Sequence, residues 1–375
     1  MGARNRAPRF ELADIVRTHR PDLENAACLS AAQRRVLTDV AQCRTAALGG
    51  HLDVCDDCGH ERPSYNSCRN RHCPKCQALA QERWIERQRQ RLLDAPHFHV
   101  VFTLPAELRR LARFAPKVVF DLLFRCAGAT LRAFGRSRLD AQIGATLVLH
   151  TWTKELLFHA HVHAIVTAGG LRDDGTWAPA RQRFLFPVKA MGRVFRGKMR
   201  AALRAAYDAG AFHDFDDFND PEGFDRLSNQ LARKDWYVYA KRSFSRAKYV
   251  VEYLGRYTHR VGLSNSRILA ASDTRIVIRT RGDGRAAMTP TELLRRFALH
   301  VLPDRLHKIR HFGLYASPQA RARVCLPTVT EPLAADGHRE RLFQLTGRDI
   351  ARCPCCGGFV VPRPLPPARA PPSCA

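Results

Sequence analysis

The sequence, 375 residues long, predicts a sheet domain of the α+β or α/β class preceded by a small cysteine-rich module. Two observations carry this. From residue 97 onward, short apolar runs alternate with helical periodicity over about 220 residues. Ahead of them, five of the thirteen cysteines crowd between Cys55 and Cys76. With 45% apolar residues, the chain can build two or three domains at the usual size of ~100–200 residues each.

The stretch LSAAQRRVLTDVAQCRTAALGG sets Leu29, Val36, Leu37, Val40 and Cys43 at roughly helical spacing and stops at Gly49 and Gly50. It makes residues 1–45 an N-terminal helical segment. Residues 46–95 join the Cys/His stretch to a basic helix, AQERWIERQRQRLL, which ends near Asp94 and Pro96. In the domain 96–315, strands are expected at 99–105 (HVVFTLP), 145–152 (ATLVLHTW), 158–170 (FHAHVHAIVTAGG) and 236–244 (WYVYAKRSF). Helices are expected over 106–134, 185–210 and 245–261, and the acidic run DFDDFNDPEGFD (214–225) reads as a solvated loop. Residues 273–288 read as a β-hairpin turning at Gly282, Asp283 and Gly284, followed by a basic helical stretch to about 315. The segment 316–375 reads as a tail, mobile and extended where 362–372 holds six prolines.

Lys and Arg number 61 against 35 Asp and Glu, a net charge of +26. Such a balance points to a polyanion, nucleic acid before a membrane surface. No run of about 18 apolar residues suggests a membrane span, and the first residues lack the apolar core of a signal peptide. A soluble, cytoplasmic protein is expected. There the cysteines stay reduced, so the Cys55–Cys76 cluster calls for a metal rather than disulfides.

Cys55-Asp56-Asp57-Cys58 and Cys73-Pro74-Lys75-Cys76 are two CxxC pairs separated by fourteen residues. Each pair can turn two sulfurs toward one ion, and together they predict one closed tetrahedral zinc site at Cys55, Cys58, Cys73 and Cys76. Cys68, His60 and His72 lie within reach as replacements. A further pair, Cys353 and Cys356, is half a site by itself and reads as reduced surface cysteines.

His159, His161 and His163 alternate with Ala160, Val162 and Ala164, so the imidazoles share one face of a strand. His161 and His163 are the expected ligands of a second, divalent ion. His97 and His99 have the same spacing but stand at the edge of their apolar run. Downstream, Tyr249, Tyr253 and Tyr257 recur every four residues, on one helical face amid six basic residues and Glu252 alone. Taken singly, that stripe is as well explained by packing on the sheet.

CDDCGHERPSYNSCRNRHCPKCQ, HVVFTLP, HTW with HAHVHAIV, YLGRYTHRVGLSNSRI and MTPTELLRRFALHVLPDRLHKIRHFGLYA occur in this order. Together they resemble the HUH superfamily of single-strand endonucleases, and most closely the rolling-circle insertion-sequence transposases with an N-terminal zinc-binding domain. The resemblance covers roughly residues 45–315. It implies an α+β fold with an HUH-type antiparallel sheet flanked by helices, the small zinc module in front, and 96–315 as catalytic domain. It assigns the ion, Mg²⁺ or Mn²⁺, to His161 and His163, and the nucleophile to Tyr253. Some members use two tyrosines one helical turn apart and others one; Tyr249 is the first candidate for a second tyrosine, and Tyr257 has the same spacing from Tyr253. A third metal ligand is not evident, with His159 and Glu252 as candidates. The implied partner is single-stranded, hairpin-bearing DNA at element ends, in the nucleoid. Rival readings are a plasmid relaxase or rolling-circle replication initiator, a zinc-containing DNA-binding protein without nuclease activity, and a metal-dependent amidohydrolase, which leaves the charge and the tyrosines unused.

Overall fold

The computed structural model describes residues 9–76, 84–85, 87–88, 91–180, 186–220, 222–244, 262–324, 343 and 349–365. Two helices come first, α1 (Leu12–Ala26) and α2 (Ala31–Gln42). Ser30 starts α2 with a reciprocal cap: its Oγ accepts from the Gln33 N–H at 3.3 Å, and Gln33 Oε1 accepts from the Ser30 N–H at 2.8 Å. Leu29, Val36, Leu37, Val40 and Cys43 are all buried, as their spacing requires. Helix α1 lies within the segment 1–45 expected to be helical, ahead of the stretch that carried the signal, and it contains Pro21. A hairpin of β1 (Gly50–Cys55) and β2 (Glu61–Tyr65) follows.

The large domain begins with β3 (His97–Thr103), α3 (Arg109–Phe114) and α4 (Pro116–Leu139). Next come β4 (Gln142–Trp152), β5 (Phe158–Leu171) and β6 (Trp177–Pro179), then α5 (Val188–Asp208), α6 (Gly223–Arg233) and β7 (Val238–Phe244). The acidic run is largely a loop, although its last residues open α6. Its carboxylates meet arginines, Asp217 with Arg110 at 2.6 Å and Asp220 with Arg226 at 2.5 Å. The expected hairpin is present as β9 (Ile276–Arg279) and β10 (Arg285–Met288), with β8 (Ile268–Ala271) beside β9. Helix α7 (Pro290–Ala298) begins the basic stretch, but the stretch ends as a strand, β11 (Ile309–Gly313). A short helix α8 (Pro318–Ala322) and β12 (Val360–Pro364) complete the elements. The expected helix 245–261 lies outside the described residues, as does most of the basic helix 80–93.

The main sheet is antiparallel, in the order β11-β4-β5-β3-β7, with β6 beside β5 where β3 ends. Its two faces differ chemically. One carries Phe98, Val100, Phe102, Leu147, Leu149, Ala160, Val162, Ala164 and Val166, packed against apolar residues of α4 and α5. Each large apolar side chain so buried contributes about 1.5–3 kcal/mol. The opposite face carries histidines. The fold is thus α+β, with helices covering the apolar face.

Contacts divide the chain into two compact units, one of residues 1–80, 263–295 and 332–375, the other of 81–262 and 296–331. This cuts across the expected succession 1–45, 46–95, 96–315 and 316–375. The reason is pairing between distant segments, which local composition does not register. Strand β12 pairs with β1 from His51 opposite Pro364 to Cys55 opposite Val360, so residues 360–364 are a sheet strand rather than a mobile tail. Likewise the Leu12 N–H donates to Asn265 Oδ1 at 3.1 Å, tying the start of α1 to the segment before β8.

Gly313 ends β11 in the left-handed region at φ +59°, and a Cβ there would lie 1.8 Å from the carbonyl oxygen of Ile143 on β4. Gly313→Ala is expected to cost roughly 2 kcal/mol or more. Urea denaturation should show a lower midpoint, and an unchanged midpoint would contradict the close approach of β11 to β4.

Candidate metal centres

In an antiparallel pair, residues directly opposite one another project to the same face. His150 on β4 stands opposite His161 on β5, and Val148 opposite His163, so three imidazoles converge on the histidine face. One nitrogen from each of His150, His161 and His163 lies within 4.8 Å of the others. Ring centroids are 4.4 Å apart for His150 and His163 and 4.9 Å for His161 and His163. The expected pair is therefore brought together, with His150 as its third member. His159 is not in the cluster, and Glu252 lies outside the described residues.

The register that places His150 depends on a bulge. Trp152 pairs with Phe158 around the loop 153–157, and a regular hairpin would continue with His150 opposite Ala160, on the apolar face. The register shifts between His150 and Trp152, and His150 moves opposite His161 instead. His300 braces this corner: its Nδ1 lies 3.2 Å from the Thr151 hydroxyl, and its Nε2 lies 3.0 Å from the Leu156 carbonyl. Those partners fix the tautomer, with Nε2–H donating to the carbonyl and Nδ1 accepting from the hydroxyl.

Burial, more than any neighbouring charge, governs protonation here. It pushes His99 and His161 down to about 4, and His163 well below its ordinary value. Lys241 beside His99 adds to the effect. Neutral imidazoles keep a lone pair for a cation. His161 Nδ1 donates to the His159 carbonyl at 2.7 Å, which leaves its lone pair on Nε2. His163 Nδ1 meets His99 Nε2 at 2.7 Å, the rings stacked with centroids 5.0 Å apart. His99 thus supports His163 from β3. His97 instead pairs with the buried Tyr315 hydroxyl at 2.6 Å.

The cysteines form two clusters. Cys43, Cys68, Cys73 and Cys76 meet in one, and Cys55, Cys58, Cys353 and Cys356 in the other. The expected set Cys55, Cys58, Cys73 and Cys76 is therefore split between them. The physical reason is that each CxxC turn finds its partners across the fold, one at the end of α2 and one beside β12. In the first cluster Cys76 Sγ lies 3.5 Å from Cys43 and 3.6 Å from Cys68. In the second, Cys55 lies 3.4 Å from Cys356 and Cys58 lies 3.7 Å from Cys353. Sulfurs at Zn–S ~2.3 Å on a tetrahedron stand about 3.8 Å apart, whereas a disulfide needs ~2.05 Å. Both sets fit zinc.

Tyr249, Tyr253 and Tyr257 lie outside the described residues. His150, His99, His300, Cys43, Cys353 and Cys356 were not expected in these roles. Cys43 carried a signal only as a helix-face residue. His150 carried one only as part of HTW.

Family models match the two parts of the chain, a "Transposase zinc-binding domain" over residues 15–104 and a "Putative transposase" over 144–323. The chain is 40% identical over 368 residues to the "Putative transposase y4qJ" of Sinorhizobium fredii (strain NBRC 101917 / NGR234), covering 92% of each. It is 29% identical over 351 residues to the "Transposase for insertion sequence element IS801" of Pseudomonas savastanoi pv. phaseolicola, covering 87% of this chain and 82% of that one. No solved structure matches. The protein belongs to this family of insertion-sequence transposases with a zinc-binding domain. DNA is accordingly its substrate.

The buried histidines set a pH dependence of stability. Burial holds His97, His99, His161 and His300 at about 4 in the fold, against an ordinary value of 6.5. Between about pH 4 and 6.5 the unfolded chain takes up protons that the folded chain refuses. Stability therefore rises with pH across that window and is complete above it, by up to ~1.4 kcal/mol per pH unit per histidine. Urea melts at pH 5 and 7.5 should differ accordingly, and His300→Asn, which removes one titrating group, should flatten the slope.

Proposed function

We propose that this transposase nicks and rejoins single-stranded DNA at element ends by a rolling-circle route, through a 5′-phosphotyrosine intermediate. The observation that carries the reading is the His150, His161 and His163 triad, three imidazole nitrogens gathered on one sheet face. A three-ligand set leaves positions open to phosphate oxygens, unlike the closed cysteine sets. Mg²⁺ or Mn²⁺ bound there supplies Lewis-acid polarisation of the scissile phosphate.

Tyr253 is the proposed nucleophile. Its phenolic oxygen bonds to phosphorus as the bond from phosphorus to the 3′ oxygen breaks, and that oxygen leaves with a proton as a 3′-hydroxyl. A phenol titrates near 10, so the basic residues of 239–262 assist by favouring its ionised form. The reverse attack by a 3′-hydroxyl on the phosphotyrosine reseals a strand and frees the phenol. No external energy source is needed, because the phosphodiester bond is exchanged rather than hydrolysed. Tyr249, four residues earlier, serves as a second nucleophile that holds a second strand while the first remains attached. The charge of +26 holds the DNA, preferring hairpin-bearing single strands in the nucleoid.

Incubation with single-stranded DNA carrying an element end and Mn²⁺ should give a covalent adduct that survives denaturing electrophoresis. Tyr253→Phe should abolish the adduct, and peptide mapping that places DNA on Tyr257 would overturn the assignment. Tyr249→Phe should allow a first cleavage and impair a complete transposition cycle.

His150→Ala, His161→Ala or His163→Ala should each slow adduct formation by a factor on the order of 100 or more, while DNA binding by the cationic surface changes little. Full activity in all three variants would remove the ion from the reaction.

A further inference from the structure

We propose that Cys55, Cys58, Cys353 and Cys356 bind a second structural zinc ion, which pins the segment around β12 to the N-terminal zinc module. The zinc-binding domain recognised over residues 15–104 does not reach Cys353 or Cys356, and the cluster Cys43, Cys68, Cys73 and Cys76 already completes one tetrathiolate site inside it. The second set is complete only across the fold.

Its two halves are built alike. In Cys55-Asp56-Asp57-Cys58-Gly59, the Gly59 N–H donates to the Cys55 carbonyl at 3.0 Å, and Gly59 has φ +68°. In Cys353-Pro354-Cys355-Cys356-Gly357, the Gly357 N–H donates to the Cys353 carbonyl at 3.0 Å, and Gly357 has φ +78°. Each glycine adopts a left-handed conformation that other side chains resist, and so turns the chain back after its second cysteine. The Cys55 N–H bonds the His60 carbonyl at 2.9 Å, and the Cys353 N–H bonds the Gly358 carbonyl at 2.8 Å. Two matching turns therefore face each other, each presenting two sulfurs.

The sulfurs are also prepared for negative charge. The Cys355 N–H points to Cys353 Sγ and the Gly358 N–H to Cys356 Sγ, both at 3.4 Å. Amides donating to sulfur favour the thiolates that ligate zinc. The halves are joined beyond the cysteines by the β1–β12 ladder and by Arg363 with Asp56 at 3.5 Å. Cys355 lies in the same turn, is exposed like Cys356, and is not in the cluster, so it serves as an internal control.

The test uses the full chain purified under reducing conditions with zinc present. In a His161→Ala, His163→Ala background, which removes the nitrogen site, elemental analysis should find two zinc ions per chain, falling to one on adding Cys353→Ser and Cys356→Ser and staying at two on adding Cys355→Ser. Alkylation of the wild-type protein followed by mass spectrometry should label Cys355 while sparing Cys353 and Cys356, with the protection lost on chelation. One zinc ion in the wild type, or labelling of Cys356 equal to that of Cys355, overturns the proposal however the variants fold. Two zinc ions retained after the Cys353→Ser and Cys356→Ser changes in the background lacking His161 and His163 overturn it as well.

Discussion

The arrangement of the histidine face rests on a single extra residue in β5, where His159 and Ala160 together stand opposite Thr151. Strand residues alternate between faces, so a hairpin without the shift at Thr151 would put His150 into the apolar core and leave His161 and His163 as a two-ligand pair. The bulge resets the pairing of β4 with β5. Its position is held by His300, which takes the Thr151 hydroxyl and the Leu156 carbonyl together. A buried neutral imidazole far along the chain thus sets which side of the sheet a histidine of β4 faces.

The same sheet separates two tasks. Its apolar face is filled by α4 and α5 and supplies rigidity, while the other face bears imidazoles that burial keeps unprotonated. A ligand set on paired strands is held more precisely than one on loops, and β5, which bears His161 and His163, is paired on both sides, with β4 and with β3. β5 lies between β4 and β3, and the contact of His99 with His163 adds support from that third strand. The two cysteine clusters lie in the other unit, and each is a four-sulfur set that fits zinc.

Much of this was legible in the sequence because it is local. The alternation of His159, His161 and His163 with small apolar residues specifies a strand with two unlike faces, and β3, β4, β5 and β7 fall close to where period-two patterning places them. Three further features were hidden because they are not local. His150 needed the bulge, which no periodicity announces. The zinc ligands were paired by proximity along the chain, Cys58 to Cys73, whereas the fold pairs them by strand neighbours. The proline-rich segment looked like a tail, yet Pro362 and Pro364 sit in β12, which among the described residues pairs with β1 alone, an edge position that tolerates proline.

Cys58 and Cys353 are 295 positions apart, and the unit bearing the histidines is threaded between them. During synthesis at roughly 5–20 residues per second, Cys55 and Cys58 therefore wait about 15–60 s before their partners leave the ribosome. In that interval the main sheet can form, since all its strands precede Cys353, while the β1–β2 hairpin still lacks β12 along one edge. Every strand of the main sheet is thus available before the unit that begins the sequence has its last strand.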